Sequence, residues 1–308
     1  MKGYDAVVIG GGPAGITAAM YLARSGCSVL LTEHMATGGQ ILQTEALENY
    51  PGFPQGIKGY ELADLFTAHL EGLGVDRSAV TVESVSGDAG QFSVRAGGEE
   101  HAAKVVLVCT GARHRQLGLE GEDRLRGRGV SYCALCDGNF FRNQTVAVVG
   151  GGNSALEESL YLAKLVDKLY LIHRRDEFRG HKIYLDKIMH LSGKIELVRS
   201  SVITGLHGDN QLTGLSVKNL KTNDERVLAV DGLFVYVGSE PATGFLPDGI
   251  ACDAQGFLVT DTEMRTSIPG IFAAGDIRSK LCRQVITAAG DGATAAQAAF
   301  VFLEQLHA

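Results

Sequence analysis

The 308-residue sequence predicts an α/β protein made of two Rossmann-like dinucleotide-binding domains, one inserted into the other. Three observations predict it. The order strand, glycine turn, helix, strand occurs near the N-terminus and again 140 residues later, counting from Gly10 to Gly150. Both turns have dinucleotide spacing, Gly10-Gly11-Gly12-Pro13-Ala14-Gly15 and Gly150-Gly151-Gly152-Asn153-Ser154-Ala155. Beyond the second copy, one more strand pattern and an alanine-rich helical stretch remain, too little for a third domain.

The first copy begins with the apolar run Val7-Val8-Ile9, then the turn, then a helical pattern from Ile16 to Arg24. Val29-Leu30-Leu31 is its second strand, ending at Glu33. Val105-Val106-Leu107-Val108 is a later strand leading to Thr110-Gly111. The second copy repeats this order with Val146 to Val149, a helix over Leu156 to Leu165, and a strand over Leu169 to Ile172. It closes with Leu233 to Val237 before Gly238. Ile271 to Asp276 reads as a strand with a functional turn, and Ile286 to Leu306 as the last helix or helices. The simplest arrangement inserts residues 115–241 into a domain made from residues 1–114 and 242–308. Arg113 to Leu117 and Gly238 to Gly244 are then the crossings.

The net charge of −7 argues against a nucleic-acid binder, which would present a basic surface. No segment approaches the roughly 20 apolar residues of a membrane span. The first strand starts so early that there is no room for a signal peptide, so a cytoplasmic location is expected. Cysteines there stay reduced unless catalytic, and Cys27, Cys109, Cys252 and Cys282, scattered singly, read as small buried apolar residues.

In the first turn, Gly10 permits the tight bend, Gly12 lets a pyrophosphate approach the backbone, and Gly15 permits close helix–strand packing. The helix N-terminus behind them supplies N–H donors and a partial positive charge. Glu33 lies 23 residues after Gly10, where an acid accepts hydrogen bonds from a ribose. The second turn differs at the matching place, where His173-Arg174-Arg175-Asp176-Glu177-Phe178-Arg179 follows the strand. An acid repels a 2′-phosphate; planar guanidinium forks suit its oxygens. Arginines at a helix start also oppose the helix dipole, a placement that makes sense if an anion binds. Arg174, Arg175 and Arg179 therefore favour NADPH over NADH.

Between the two turns stands Cys133-Ala134-Leu135-Cys136-Asp137. One helical turn brings such a pair into disulfide range, and a helix N-terminus lowers a thiolate pKa. A structural zinc site needs a second pair of ligands, which the scattered cysteines do not offer, so no metal is expected. Asp137 is a candidate proton donor and acceptor beside a thiol.

Taken together, these residues resemble the low-molecular-weight thioredoxin reductases. The resemblance runs through Gly38-Gly39-Gln40, Glu48-Asn49-Tyr50-Pro51-Gly52, Thr110-Gly111 and Cys133-x-x-Cys136-Asp137-Gly138. It continues through Gly150 to Ala155 with Glu157-Glu158, His173-Arg174-Arg175, Ala274-Gly275-Asp276 and Arg283-Gln284-Val285-Ile286-Thr287. It implies FAD in the discontinuous domain. Gly10, Gly11, Gly12, Pro13, Ala14 and Gly15 would hold the pyrophosphate and Glu33 the adenosine ribose. Gly39, Gln40, Asn49, Thr110 and Gly111 would lie along the cofactor, with the Val82 backbone near the adenine. Gly275 and Asp276 would meet the ribityl or phosphate region, and Arg283, Gln284 and Val285 would border the ring. It implies NADPH in the inserted domain at Gly150, Gly152, Asn153, Ser154, Glu157, His173, Arg174, Arg175 and Arg179.

The resemblance further implies electron flow from NADPH through FAD to the Cys133–Cys136 disulfide and on to thioredoxin. Cys136 would be the sulfur facing the flavin, Cys133 the one attacking the substrate, and Asp137 the proton carrier. It implies a homodimer. Because the nicotinamide site and the CxxC share one inserted domain and both must reach the flavin, rotation of that domain about the two linkers is expected, with Gly238 and Gly244 giving backbone freedom. Two positions depart from the pattern: Cys109 and Gly180 each replace a customary alanine. Leu306-His307-Ala308 carries no second redox pair. A thiol oxidase or a ferredoxin-fed reductase would have no use for an intact NADPH turn, and a nucleotide sensor none for the CxxC.

Overall fold

A computed structural model describes residues 2–44 and 47–307. Ala308, the end of the tail considered above, lies outside the described residues. The chain forms two compact units, Met1–Arg113 with Glu240–Ala308, and His114–Ser239.

The first unit opens with β1 (Lys2–Ile9), α1 (Pro13–Arg24), β2 (Val29–Thr32), α2 (Gly59–Ala68) and β3 (Asp76–Ser78), followed by the hairpin strands β4 (Val82–Asp88) and β5 (Gln91–Ala96) and the long strand β6 (Glu99–Val108). β1 is longer than the Val7–Ile9 run suggests, because its N-terminal half pairs with β6 from Lys2 onward. The sheet order is β3-β2-β1-β6-β5-β4. β1, β2, β3 and β6 run parallel, so their strands need apolar residues on both faces. Ala6, Val7, Val8, Val105, Val106 and Leu107 are all fully buried.

The outgoing crossing is β7 (Ala112–His114). The second unit contains α3 (Glu122–Leu125), β8 (Val130–Ser131), α4 (Ala134–Asp137), β9 (Thr145–Gly150), α5 (Asn153–Leu162), β10 (Lys168–Ile172), α6 (Lys182–Met189) and β11 (Ile195–Val198). It then adds β12 (Ser201–His207), β13 (Gly214–Asn219), β14 (Glu225–Ala229) and β15 (Gly232–Tyr236). Its main sheet is β11-β10-β9-β15-β8, all parallel, and β12-β13-β14 is an antiparallel meander. α5 starts three residues before the expected Leu156, at the first residue after Gly152, and stops at Leu162. The turn itself starts the helix, and Ala163 to Leu165 continue only as a turn.

The return crossing, β16 (Ser239–Pro241), pairs with β7 as a two-stranded sheet. β17 (Ile271–Ala273) then joins β6 in parallel along Val106–Val108, while β5 occupies Glu99–Ala103 on that strand. The final residues form one helix, α7 (Val285–His307), despite Gly290 and Gly292. Over Val285–Leu306 it is long and apolar enough to cross a membrane by length and composition, which corrects the expectation that no segment comes close. Its apolar face has a partner within the unit. Ala295, Ala296, Ala299 and Leu303 are buried in the core that α1 also lines. The glycines allow that approach: a Cβ at Gly292 would stand 2.2 Å from Ala14 O.

Candidate functional site

In the first unit the turn after β1 is built by contact. A Cβ at Gly15 would stand 1.8 Å from Gly10 O, and one at Gly10, at φ +106°, 2.4 Å from Cys109 O. These two glycines are required by the chain itself. Gly12 is different, since a Cβ there would meet nothing nearer than Gly39 Cα at 4.0 Å. Its backbone is open to close approach by a ligand, as a pyrophosphate site demands. Pro13 occupies the first turn of α1, where a missing N–H costs nothing. Glu33 accepts the Gly11 N–H at 2.8 Å and the Met35 N–H at 3.2 Å, so it braces the turn that it was expected to serve only through a ribose.

Gln40 Nε2 donates to Ala112 O at 2.5 Å, beside Gly111. Asn49 Nδ2 donates to Gln284 Oε1 at 2.9 Å, joining segments 235 residues apart. Thr110 Oγ1 donates to Ala242 O at 3.2 Å. Arg283 lies over the Phe257 ring, 4.1 Å from its centroid, just before Val285 opens α7. Val82 begins β4, with its side chain buried in the core and its backbone in the register with Ala96.

Gly275 and Asp276 follow β17. Gly275, at φ +81°, donates its N–H to Asp291 Oδ2 at 3.1 Å. Asp291 also takes Arg278 at 2.9 Å and Lys280 at 2.7 Å, all three side chains being nearly buried. The sequence reading did not single out Asp291, Arg278 or Lys280, because no motif joins residues on a loop to the second turn of the next helix. Asp276 is left with a buried Oδ1 that has no hydrogen-bond partner. Burial pushes its carboxyl up to about 6, against the opposing pull of Lys280 and Arg283. An unsatisfied buried acceptor fits a ligand hydroxyl. This group, the open Gly12 backbone and the dipole of α1 together fit FAD.

Cys109 packs between the turn and α1, its Cβ 3.2 Å from where a Gly15 Cβ would stand. Burial, with the Asp291 charge second, pushes its thiol up beyond the ordinary range. It is a packing residue, as expected. Cys252 and Cys282 are exposed, contrary to the expectation that all four scattered cysteines are buried; both lie in loops rather than in the sheet or helices.

In the second unit Gly150 repeats the strained bend at φ +155°. Gly151 is packed against His173: a Cβ there would stand 2.1 Å from the ring. His173 is buried, stacks on Phe178 at 5.0 Å, and lies 3.1 Å from Glu177 O through Nε2. Burial, and then the nearby arginines, hold it below its ordinary pKa, so it is neutral and Nε2–H donates. Arg174, Arg175 and Arg179 are exposed on the loop between β10 and α6. They do not stand at a helix start as expected, since α6 begins only at Lys182. The loop is instead tied to the turn, through Arg179 N–H to Gly151 O at 2.7 Å and His181 N–H to Asn153 Oδ1 at 2.7 Å. Gly180 explains itself here: a Cβ would stand 2.5 Å from Leu156 Cδ1 and 3.1 Å from Asn153 Oδ1. Asp176, the acid among the arginines, is engaged by Ser200 and Lys221. Among the described residues no carboxylate pairs with the three arginines. Ser154 and Glu157 are exposed on the first turns of α5, and Glu157 meets Tyr184.

Cys133 and Cys136 are joined as a disulfide with Cα atoms 5.3 Å apart. Cys133 is the N-cap of α4, and its Sγ accepts the Cys136 N–H at 3.2 Å. Two side chains absent from the motif, Ser131 and Tyr236, hold the segment that carries the pair. Ser131 Oγ accepts the Cys133 N–H at 3.1 Å and donates to Asp137 Oδ2 at 2.6 Å. Tyr236 Oη accepts the Ala134 N–H at 2.7 Å. Gly138 continues the chain against Leu162, Tyr161 and Leu165, whose side chains a Cβ would meet at 3.1 to 3.3 Å. Among the described residues, no group of three His, Cys, Asp or Glu side chains is arranged to hold a metal ion.

Residues 4–292 match the family described as pyridine nucleotide-disulphide oxidoreductase. The thioredoxin reductase of Listeria monocytogenes is 43% identical over 308 residues, covering 99% of this chain and 95% of that one. The crystal structure of thioredoxin reductase from Streptococcus pyogenes superposes with a TM-score of 0.92 at 43% identity, over 98% of this chain and 99% of that one. The thioredoxin reductase from Giardia duodenalis gives the same TM-score of 0.92 at 35% identity, over 99% and 100%. Two nucleotide turns, a CxxC disulfide between them and this likeness over nearly the whole length lead to one assignment: the chain belongs to the pyridine nucleotide-disulphide oxidoreductases, among the low-molecular-weight thioredoxin reductases.

Proposed function

We propose that the discontinuous unit holds FAD, that the inserted unit holds NADPH, and that Cys133 is the sulfur which meets thioredoxin. The activity is NADPH-dependent reduction of thioredoxin by way of FAD and the Cys133–Cys136 disulfide. FAD, when bound, supplies the two-electron step between NADPH and the disulfide.

The observation that carries the role of Cys133 is its place at the N-cap of α4. A charge on its sulfur is stabilised there by the Cys136 N–H. Once the disulfide is reduced, the Cys133 thiolate attacks a sulfur of the thioredoxin disulfide and expels the other as a thiolate. Cys136 then attacks the Cys133 sulfur, which restores the disulfide and releases the second thioredoxin thiolate. The two electrons of the dithiol thus leave with thioredoxin, and Asp137 gives and takes protons at the sulfurs beside it. Ser131 holds the Asp137 carboxylate through its hydroxyl.

On the cofactor side, Gly10 to Gly15 and α1 hold the FAD pyrophosphate, Asp276 accepts from a hydroxyl, and Gly39, Gln40, Asn49, Thr110, Gly111, Arg283, Gln284 and Val285 line its length. Gly150, Gly152, Asn153, Ser154 and Glu157 form the NADPH turn, and His173 supports it from below. Arg174, Arg175 and Arg179, exposed and with no carboxylate partner among the described residues, take the 2′-phosphate. The CxxC and the NADPH turn share one unit, so this unit turns about the paired crossings β7 and β16 between half-reactions. Gly238, at φ +121°, gives the return crossing freedom. We further infer a cytoplasmic homodimer.

The test is NADPH- and NADH-driven reduction of several thioredoxins and glutaredoxins by the FAD-loaded protein. NADPH-dependent thioredoxin reduction well above the NADH rate is expected. Equal use of both nucleotides, or no reduction of any thioredoxin, overturns the reading.

A further inference from the structure

In the first unit one acid gathers two nearly buried cations that the reaction above does not use. Asp291 Oδ2, on the second turn of α7, accepts from the Gly275 N–H at 3.1 Å, from Arg278 Nη1 at 2.9 Å and from Lys280 Nζ at 2.7 Å. A single oxygen thus brings both cations beside Gly275, the residue bonded to Asp276. Asp276 nevertheless keeps a buried Oδ1 with no hydrogen-bond partner. A third cation is also turned away from that carboxyl. Arg283 Nε donates to the Asp276 backbone oxygen at 3.4 Å, and its guanidinium lies over the Phe257 ring. Among the described residues no cation pairs with the Asp276 carboxylate.

We propose that Asp291 is a positioning residue for the cofactor site: by holding Lys280 it keeps the Asp276 carboxylate open to a hydroxyl of FAD. This rests on the first unit being the one that takes FAD.

The two cations held by Asp291 are not equally free to move. Arg278 is fixed twice more, since its Nε donates to Thr260 Oγ1 at 2.7 Å and its carbonyl accepts from Arg283 at 3.2 Å. Lys280 has one further contact among the described residues, the Thr287 hydroxyl at 3.2 Å. Its flexible stem and compact charge let it change acceptors. Removing one partner of a nearly buried ion pair leaves a charge that must find another. Asparagine at position 291 can still accept the Gly275 N–H, but it carries no charge to hold the ammonium. Lys280 then turns to Asp276 and occupies the acceptor that FAD requires. The charges facing Asp276 are Lys280 and Arg283 from its own loop and Asp291 from α7. Burial raises its carboxyl to about 6 despite both cations, as befits an acid whose cations are engaged elsewhere.

The experiment is equilibrium dialysis of the full chain against FAD, with wild type, Asp291→Asn, Lys280→Met and the double variant compared. Far-ultraviolet circular dichroism checks that each is folded. Asp291→Asn is expected to weaken FAD binding about tenfold, the loss of one hydrogen bond to a charged acceptor. Adding Lys280→Met is expected to bring affinity back to within about threefold of wild type, because the competitor is gone. A carbon-13 titration of the Asp276 carboxyl in the FAD-free chain reads the competition itself. Its midpoint is expected to drop in Asp291→Asn and to rise again in the double variant. Unchanged FAD affinity in Asp291→Asn overturns the proposal. So does a loss that Lys280→Met fails to restore, which would make Asp291 a brace for the loop, and so does an unmoved Asp276 midpoint. Should Asp291→Asn not fold, the double variant decides: folded with near wild-type affinity it supports the proposal, and folded without FAD it overturns it. Wild type that binds no FAD overturns the cofactor reading and the proposal with it, so the two failures are distinguishable.

Discussion

Ser131 and Asp137 are tied by a 2.6 Å hydrogen bond in which the serine hydroxyl donates to the carboxylate, while the same oxygen receives the Cys133 N–H at 3.1 Å. One side chain thereby fixes both the proton carrier and the backbone of the first redox cysteine. Ser131→Ala removes a hydrogen bond to a charged group, worth about 1.5–3 kcal/mol. Thioredoxin turnover is expected to fall about tenfold or more at saturating substrate, with NADPH bleaching of the flavin unchanged in stopped flow. A variant with full turnover would show that Asp137 needs no such support.

Cys133→Ser is expected to abolish thioredoxin reduction and to leave flavin bleaching by NADPH intact. Persistent reduction of thioredoxin in this variant would move the attacking role to Cys136.

Replacing Arg174 and Arg175 together by alanine removes two charge-assisted contacts to a 2′-phosphate. The KM for NADPH should rise on the order of a hundredfold, with little change for NADH. An equal loss for both nucleotides refutes the phosphate role.

Asp276 makes stability depend on pH in the FAD-free protein. Its carboxyl is raised by burial from 3.8 to about 6, so between these values the native state binds more protons than the unfolded chain. Stability therefore falls as pH rises from about 4 to about 6 and levels off above, by on the order of 3 kcal/mol from this residue. Urea midpoints measured at pH 4, 5, 6 and 7 should show a smaller fall in Asp276→Asn than in wild type. Identical slopes would show that the group is not perturbed. FAD retention by Asp276→Ala, compared by absorbance after gel filtration, should also drop.

Gly292→Ala forces a Cβ to 2.2 Å from the Ala14 backbone oxygen, where no side chain can yield. The α1–α7 contact must open, and the expected result is loss of FAD with a thermal midpoint lowered by several degrees. Retention of FAD with an unchanged midpoint would place the helices further apart.

The sequence by itself determined the two βαβ repeats, the glycines of their turns, the CxxC and the arginines in place of an acid. These are local features: strand periodicity, a bend needing positive φ, and two sulfurs one helical turn apart depend on neighbours along the chain. Element limits were less legible. The helix after Gly152 starts with the turn because its backbone geometry, and not the first apolar residue, begins it. The arginine loop stays unwound because its backbone hydrogen bonds go to Gly151 and Asn153 rather than to a preceding turn of helix.

Tertiary structure alone decided what surrounds the chemistry. Asp291 reaches Gly275 from the next helix, and Tyr236 reaches the Ala134 N–H from β15, neither with a fixed spacing to the motif it serves. Gly180 needs to be glycine only because Leu156 and Asn153 press on it from another element. Burial and hydrogen-bond satisfaction are properties of the packed molecule, and burial pushes the Asp276 and Glu158 carboxyls above their ordinary range.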